Sequence, residues 1–277
     1  MRFFGGWFLF LIIFRSANGD DDEDIKQMWS KDVLRICDNP FEHLSVGQLR
    51  SLWFWNRGDV VKVEIRSLTP LLLRFPQFGS SEIMKQLVEL AEKEELNPMN
   101  VTTENSSYKH RGRRADGLWL GHDSYATLGL FKKIQRVFKL NPRSAESFLL
   151  LKYDKNGHYA PHYDHLDETA IPDWWMLNNG NRLATMLLIA KTAQEGGGTV
   201  FPSLGVTVQP EDGDLILWFN ADSKGSREMN SIHGACPIKS GTKVALSLWL
   251  RSFPHPKLKS PLEGEHPSYR LDHIFDF

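Results

Sequence analysis

Hydrophobic positions recur along the chain in two different patterns, and the change between them falls at Asn141-Pro142. Upstream of it, two segments each carry one apolar stripe at helical spacing, which predicts two amphipathic helices. The stripe residues are Ile83, Leu87, Leu90 and Ala91 in the first segment and Leu130, Ile134, Val137 and Phe138 in the second. A short apolar run at residues 71–75, ahead of both helices, predicts a strand.

Downstream of Pro142 the chain breaks into short apolar or alternating runs separated by Gly, Pro, Asn and Asp, which is typical of strands joined by turns. The predicted strands cover residues 148–153, 183–190, 199–201, 206–209, 214–220 and 243–251. This order of elements predicts an α+β protein with a mainly β core, in which a double-sheet sandwich or jelly roll carries flanking helices.

The predicted organisation has four parts. Residues 1–19 form a targeting segment, and residues 20–68 form a short helical lead-in that starts with an acidic run and contains the aromatic cluster Trp53-Phe54-Trp55. Residues 69–254 form the main domain, and residues 255–277 form a C-terminal tail. The length of the chain is compatible with one large domain or two small ones.

The targeting segment has the features of a cleaved signal peptide. Its apolar run at residues 3–14 is followed by Ala17 and Gly19, two small residues at the spacing of a signal-peptidase site. Twelve helical residues rise only about 18 Å, which is too short to cross a bilayer core of about 30 Å. We therefore expect cleavage after Gly19, no membrane span in the mature chain, and a location in the endoplasmic reticulum lumen or elsewhere in the secretory pathway.

Composition excludes several classes of function. The formal net charge is -1 and 41% of the residues are hydrophobic, so we expect a folded protein that binds neither nucleic acid nor a charged membrane surface. Two Asn-x-Ser/Thr sequons predict N-glycosylation at Asn100 and Asn105. Cys37 and Cys236 are the two cysteines, and from sequence they either form one disulfide or remain free thiols.

Candidate chemistry concentrates around residues 153–165. Gly157 and Pro161 oppose a helix there, so His162 and Asp164, two positions apart on extended backbone, point to the same side. His233 offers a third ligand. Two imidazoles and one carboxylate form the facial set of non-haem Fe(II) oxygenases, which leaves coordination positions open for other molecules.

A lysine supports this reading of the motif. Lys243 begins the predicted strand 243–251, and alternation puts it on one face with Ala245, Ser247 and Trp249, opposite an all-apolar face. A lysine on the interior face of a sandwich is costly unless an anion pairs with it. A dicarboxylate that chelates the metal at one end could meet Lys243 at its other end.

Five blocks in this order are similar to the catalytic domain of the collagen-type prolyl 4-hydroxylases, the Fe(II)/2-oxoglutarate dioxygenases of the secretory pathway. The blocks span residues 153–164, 180–185, 196–202, 233–237 and 241–243, with weaker agreement at Arg113 and at Trp119-Leu120. The resemblance covers residues 70 to 252 or so, and it implies the double-stranded β-helix form of the jelly roll.

Carried over position by position, the resemblance implies a site with three parts. His162, Asp164 and His233 would bind Fe(II) as the metal ligands, and the far carboxylate of 2-oxoglutarate would lie on Lys243, Thr199 and the Tyr153 hydroxyl. A Pro-rich or collagen-like peptide would be held by Tyr159, Arg182 and Trp249. The implied reaction is peptidyl-proline 4-hydroxylation with O2 and 2-oxoglutarate, giving succinate and CO2, with ascorbate keeping the iron reduced.

Two departures leave alternatives open. Lys243 favours the collagen-type branch, because lysyl hydroxylases and oxygen-sensing prolyl hydroxylases carry an arginine there. Arg251, however, stands where the family usually has a histidine near the peptide, and residues 20–68 are too few for the family's N-terminal peptide-binding region. The substrate could therefore be a non-proline residue or a non-collagen protein, and a non-catalytic assembly subunit is a further alternative. The resemblance also implies protein disulfide isomerase as a partner.

Overall fold

The computed structural model describes residues 18–40, 50–56, 58–99, 101–103, 106–108, 111–167, 174–253, 269–271 and 274–275. The predicted signal peptide up to residue 17 and the sequons at Asn100 and Asn105 lie outside these residues. Among the described helices, none combines the length and the hydrophobicity that crossing a bilayer requires.

Five α-helices and eighteen strands make up the described part of the chain. The helices are α1 (Asn18–Met28), α2 (Lys31–Asp38), α3 (Ser81–Lys93), α4 (Leu128–Val137) and α5 (Trp174–Asn179). The first nine strands are β1 (Arg50–Asn56), β2 (Asp59–Leu68), β3 (Leu71–Phe75), β4 (Asn97–Pro98), β5 (Val101–Thr103), β6 (Ser106–Tyr108), β7 (Arg113–Arg114), β8 (Asp116–Leu120) and β9 (Phe148–Tyr153). The others are β10 (His158–His162), β11 (Arg182–Lys191), β12 (Glu195–Gly196), β13 (Thr199–Phe201), β14 (Val206–Val208), β15 (Leu215–Phe219), β16 (His233–Ala235), β17 (Ile238–Ser240) and β18 (Lys243–Arg251).

Two antiparallel sheets form the body of the protein. The major sheet has nine strands in the order β1-β2-β3-β15-β11-β18-β9-β8-β4, and the minor sheet has five in the order β14-β13-β16-β10-β7. Side chains from both sheets line one cavity between them. The predicted fold class is confirmed: the chain has a mainly β core arranged as a double-stranded β-helix, with flanking helices. The six strands predicted after Pro142 agree with the observed strands to within one residue at each end.

The two faces of the major sheet have different neighbours. Its outer face forms the main hydrophobic core with helices α3 and α4, whose predicted stripes supply Leu87, Leu90, Leu130 and Ile134. Ser80 caps α3 by accepting a hydrogen bond from the Ile83 amide. Because strand residues alternate between faces, the apolar face of β18 is buried in this core and its other face points into the cavity.

The predicted helical lead-in is only partly correct. Helices α1 and α2 occupy residues 18–38, but residues 50–68 form the hairpin β1–β2, which joins the major sheet through β3. The aromatic cluster lies on β1, where Phe54 packs against Phe275 while Trp53 and Trp55 are exposed. Helical spacing was a weak signal here because a two-faced edge strand shows the same mixture of apolar and polar residues.

Residues from both predicted flanking parts belong to the core of the main domain. Phe275 and Ile274, from the predicted tail, are fully buried with Phe75 and Phe138 of the main core. The major sheet therefore includes residues before the predicted domain boundary at residue 69, and the hydrophobic core includes residues after the predicted boundary at residue 254.

Cys37 and Cys236 form a disulfide, which resolves the alternative that the sequence left open. The bond attaches α2 to the residue that follows β16, and Trp29 packs in the same small apolar cluster against Ala160 and Val200. The lead-in helices are thereby held against the outside of the strands that carry His162 and His233.

Removing this disulfide is expected to destabilise the protein. It joins residues 199 positions apart, so its loss allows a much larger unfolded ensemble, and the expected cost is about 2–5 kcal/mol in the free energy of unfolding. Urea unfolding of the Cys37→Ala/Cys236→Ala double variant measures this cost. Reductant should lower the midpoint of the wild type and leave the double variant unchanged; equal midpoints for both proteins without reductant would contradict the prediction.

Candidate active site

Three possible metal ligands converge between two neighbouring strands of the minor sheet. His162 ends β10 and is paired in register with His233 at the start of β16, while Asp164 follows β10 by two residues. His162 Nε2 lies 3.6 Å from Asp164 Oδ1, and His233 Nε2 lies 3.5 Å from Asp164 Oδ2. The three ligand atoms lie within 4.8 Å of one another, so one metal ion can contact all of them.

Backbone carbonyls fix the orientation of both imidazoles. His162 Nδ1 is 2.9 Å from the Ala160 carbonyl oxygen, and His233 Nδ1 is 3.0 Å from that of Ser231. A carbonyl can only accept, so each Nδ1 carries the proton and donates it. Each Nε2 therefore presents its lone pair to the space beside Asp164, as a metal ligand must.

The charges of the cluster also suit a divalent cation. Burial lowers the pKa of His233 to about 4, which keeps its imidazole neutral near pH 7. Burial alone would raise the pKa of Asp164, but His233, His162 and Arg182 outweigh it and hold the pKa well below its usual range. Neutral His233 and ionised Asp164 therefore need release no proton before a cation binds.

A chain of hydrogen bonds holds the Asp164 carboxylate from behind. The Thr185 hydroxyl donates to Asp164 Oδ2 at 2.7 Å, and Asn220 Nδ2 donates to the Thr185 oxygen at 2.8 Å. All three side chains are buried. Because Asn220 donates to the Thr185 oxygen, the Thr185 hydroxyl directs its own proton to Asp164. Thr185 and Asn220 together thus fix the orientation of the Asp164 carboxylate towards the metal site.

Replacing Thr185 by valine, which has nearly the same shape, removes this hydrogen bond. We expect metal affinity to fall about 10- to 100-fold, the usual effect of losing a group that orients a ligand. Equilibrium dialysis with Fe(II) or Mn(II) under nitrogen measures the change. Thr192→Val, which removes an exposed threonine hydroxyl bonded to Asp212, is the matched control; equal affinities for the two variants would show that the hydrogen bond does not orient Asp164.

The three candidate metal ligands lie at one end of a cavity that continues between the sheets to Lys243. The space open to the centre of a water molecule is about 50 Å³, several times what one water needs. The lining residues are Arg113, Leu151, Tyr153, Tyr159, His162, Asp164, Thr185, Leu187, Thr199, Trp218, His233, Gly234, Ala235, Lys243, Ala245, Ser247 and Trp249. The predicted alternation of β18, with Lys243, Ala245, Ser247 and Trp249 on the cavity face, is therefore what the structure contains.

Lys243 is buried in this cavity. Its side chain is 1% exposed, and its ammonium donates to the Gly197 carbonyl at 2.6 Å. Within the described part of the chain, no carboxylate forms an ion pair with it. Burial therefore lowers the pKa of Lys243 to about 8.

Two neighbours of Lys243 are also suited to bind an anion. The Thr199 hydroxyl is buried and has no hydrogen-bond partner among the described residues. Tyr153 lies beside the ammonium, and burial raises its pKa to about 12, so its hydroxyl remains a hydrogen-bond donor. A cation, an unpaired hydroxyl and a phenol at the end of a cavity match the far carboxylate of a diacid. The residues present thus fit both the metal and 2-oxoglutarate.

The three residues predicted to hold a peptide contact His162 or the lining of the cavity. Tyr159 stacks on His162 with ring centroids 3.5 Å apart, and the Arg113 guanidinium lies 4.5 Å from the Tyr159 centroid. The Arg182 guanidinium lies 4.1 Å from the Trp249 centroid. Tyr159 and Trp249 line the cavity, and Arg182 contacts Trp249 without lining it.

Sequence reasoning missed three residues at the site. Trp218 lines the cavity with its ring centroid 4.5 Å from that of His233, while Thr185 and Asn220 orient Asp164. Thr185 stood within a recognised block but had no role. A polar Asn220 at the end of an otherwise apolar strand pattern was the available signal, since a buried amide needs a partner.

Comparison by sequence finds a matching family and individual relatives. Residues 148–251 match the 2OG-Fe(II) oxygenase superfamily. Over 204 residues the chain is 30% identical to prolyl 4-hydroxylase subunit alpha-1 of Homo sapiens, covering 70% of this chain and 38% of the relative. Over 195 residues it is 30% identical to prolyl 4-hydroxylase subunit alpha-1 of Caenorhabditis elegans, covering 69% and 34%. The chain thus spans between a third and two-fifths of these relatives.

Among solved structures, the chain is similar to a viral collagen prolyl hydroxylase from Paramecium Bursaria Chlorella virus-1 in its 2OG complex. The TM-score is 0.51 at 24% identity, over 65% of this chain and 95% of the viral protein. At this identity the likeness concerns the fold, and it agrees with the double-stranded β-helix described above.

Proposed function

The chain belongs to the 2OG-Fe(II) oxygenase superfamily through residues 148–251, and from that premise we propose that it is a peptidyl-proline 4-hydroxylase. One observation carries the proposal: His162, Asp164 and His233 converge at one end of a cavity whose other end holds the buried ammonium of Lys243. A metal would be bound by the three ligands at the first end. The far carboxylate of 2-oxoglutarate would give the Lys243 ammonium an anion and the Thr199 hydroxyl a hydrogen-bond partner at the second end.

Each side chain has a defined task in this proposal. His162, Asp164 and His233 hold Fe(II), and Lys243, Thr199 and Tyr153 bind the far carboxylate of 2-oxoglutarate. When bound, Fe(II) and 2-oxoglutarate supply the O2-dependent chemistry that yields succinate, CO2 and a hydroxylated product. The apolar walls of the cavity, including Trp218, keep bulk water out.

The proposed substrate is a Pro-rich or collagen-like peptide. Tyr159 and Trp249 supply aromatic rings and Arg182 supplies a guanidinium near the proposed metal ligands, and such surfaces suit a polyproline II peptide, which enters binding with little conformational entropy to lose. The similarity to prolyl 4-hydroxylase alpha subunits supports this choice. The second candidate is another oxygenase substrate, a non-proline residue or a non-collagen protein, and Arg251 in place of the expected histidine is the observation that favours it.

The proposed setting is the endoplasmic reticulum lumen. The disulfide between Cys37 and Cys236 supports this, because such bonds persist in oxidising compartments. Glycans at Asn100 and Asn105, ascorbate as the reductant for iron, and protein disulfide isomerase as a partner belong to the same proposal.

Mass spectrometry tests the reaction. The purified chain is incubated with Fe(II), 2-oxoglutarate, ascorbate and a Pro-Pro-Gly repeat peptide, and succinate is measured in parallel. We expect one added oxygen on proline and succinate formation stimulated by the peptide. Stimulation by other proteins alone would favour the second candidate, and no turnover under any condition would favour a non-catalytic subunit.

A further inference from the structure

Glu146, just before β9, is held by two arginines at once. Arg182 binds it with both arms of its guanidinium, Nε to Oε1 at 2.6 Å and Nη2 to Oε2 at 2.8 Å, and Arg251 Nη2 contacts Oε1 at 2.8 Å. Arg182 and Arg251 face each other in register across β11 and β18. Two adjacent guanidinium cations repel each other, so the carboxylate that they share is what permits this arrangement.

Arg251 also holds the segment that leads into β11. Its Nη1 donates to the Gly180 carbonyl at 2.9 Å, and its guanidinium lies 5.9 Å from the Trp175 ring of helix α5. Gly180 has a φ of 72°, and a side chain there would collide with Ser252, so this turn requires glycine. Arg251 thus fixes the short turn that precedes Arg182.

The same network supports the peptide side of the cavity. Glu146 donates its backbone amide to the Trp249 carbonyl at 3.0 Å, and its side chain holds Arg182 against the Trp249 ring. Trp249 lines the cavity, whereas Arg251 is 3% exposed and is not among the lining residues. Arg251 is thus linked to Trp249, which lines the cavity, through Glu146 and Arg182.

We propose that Arg251 is a positioning residue for the peptide. By binding both Glu146 and the Gly180 carbonyl, Arg251 keeps the Arg182 guanidinium against the Trp249 ring. The relative positions of these two peptide-binding side chains are thereby fixed. This inference rests on the proposed function and deepens it, because it assigns a role to the residue at which the chain departs from the family it resembles. In this proposal Arg251 acts on the peptide through Arg182 and Trp249.

The test compares Arg251→Lys, Arg251→Gln and Arg251→His with the wild type. Lysine keeps the charge but cannot reach both Glu146 and Gly180, whereas glutamine and histidine lose the fixed guanidinium fork. We expect the Kd and KM for a fluorescein-labelled Pro-Pro-Gly repeat peptide to rise about threefold for lysine and about tenfold for glutamine and histidine, in line with losing a charge-assisted hydrogen bond. The change in kcat should be smaller than the change in KM, and the KM for 2-oxoglutarate should stay near the wild-type value.

Arg143→Gln, which neutralises an exposed arginine in the turn before Glu146, is the matched control and should behave as the wild type. Circular dichroism checks folding, and Arg251→Lys decides the question if the other variants do not fold. Unchanged peptide Kd in folded variants, or no peptide binding by the wild type, would overturn the inference. Absence of succinate in the wild type would instead overturn the proposed function, and the Kd series would still decide the role of Arg251.

Discussion

Asp164→Ala is expected to abolish both metal binding and turnover. The carboxylate supplies the only negative charge among the three converging ligands, and it lies between the two imidazoles, within 3.6 Å of each. Its removal should cost at least what a broken buried ion pair costs, about 3–5 kcal/mol, which corresponds to a loss of about 150- to 5,000-fold. Fe(II) content after anaerobic dialysis and the rate of succinate formation measure the two effects.

Two controls separate a lost ligand from a lost fold. Asp123→Asn removes an exposed carboxylate and should leave metal content and turnover unchanged. Thermal unfolding without metal should show that Asp164→Ala still folds cooperatively but melts at a lower temperature than the wild type, because a carboxylate whose pKa is lowered on folding stabilises the folded chain. A variant that is folded, binds one Fe(II) and turns over at the wild-type rate would remove Asp164 from the site.

Lys243→Met is expected to have opposite effects on 2-oxoglutarate binding and on the stability of the ligand-free protein. A charge-assisted hydrogen bond contributes about 1.5–3 kcal/mol, so the KM for 2-oxoglutarate should rise about 10- to 100-fold. The same change removes a buried ammonium that pairs with no anion among the described residues, so the melting temperature without ligand should rise. Added 2-oxoglutarate should stabilise the wild type much more than the variant.

The pH dependence of these effects follows from the pKa of about 8 for Lys243. An unfolded lysine has a pKa of about 10.4, so between these values the unfolded chain binds more protons and stability rises with pH. The cost of the buried ammonium is therefore complete below pH 8, where Lys243→Met should stabilise most. Because the diacid needs the protonated amine, its affinity should be constant below pH 8 and weaken by up to about tenfold per pH unit above it.

Lys155→Met provides the control for this second prediction, since it neutralises an exposed lysine outside the cavity. It should leave the KM for 2-oxoglutarate and its pH profile unchanged. An equal KM for wild type and Lys243→Met, or a pH profile that survives in the variant, would show that another group binds the far carboxylate.

Sequence reasoning predicted the fold and the resemblance because both depend on local patterns. Period-two alternation in β18 assigned Lys243 and Trp249 to one face and the core residues to the other, and the structure has this arrangement. The fold class is confirmed, and so is the resemblance to prolyl 4-hydroxylase alpha subunits. Strand alternation and family motifs can be predicted from sequence because each depends on a few consecutive residues.

Features that depend on contacts between distant segments could not be predicted. The hairpin of Trp53 and its neighbours gains its strand structure from pairing with β3, and Phe275 gains its burial from side chains about 200 residues away in sequence. The role of Asn220 behind Asp164 and the shared carboxylate of Glu146 likewise appear only when separate strands meet. Propensity and spacing carry no information about such pairings.

A crystal structure of the protein grown anaerobically with Mn(II) and 2-oxoglutarate tests the central claim most directly. The account predicts one metal ion bound by His162, Asp164 and His233, chelated by the near end of 2-oxoglutarate, with the far carboxylate within hydrogen-bond distance of the Lys243 ammonium and the Thr199 hydroxyl. A metal bound elsewhere, or a diacid whose far carboxylate lies away from Lys243, would contradict it.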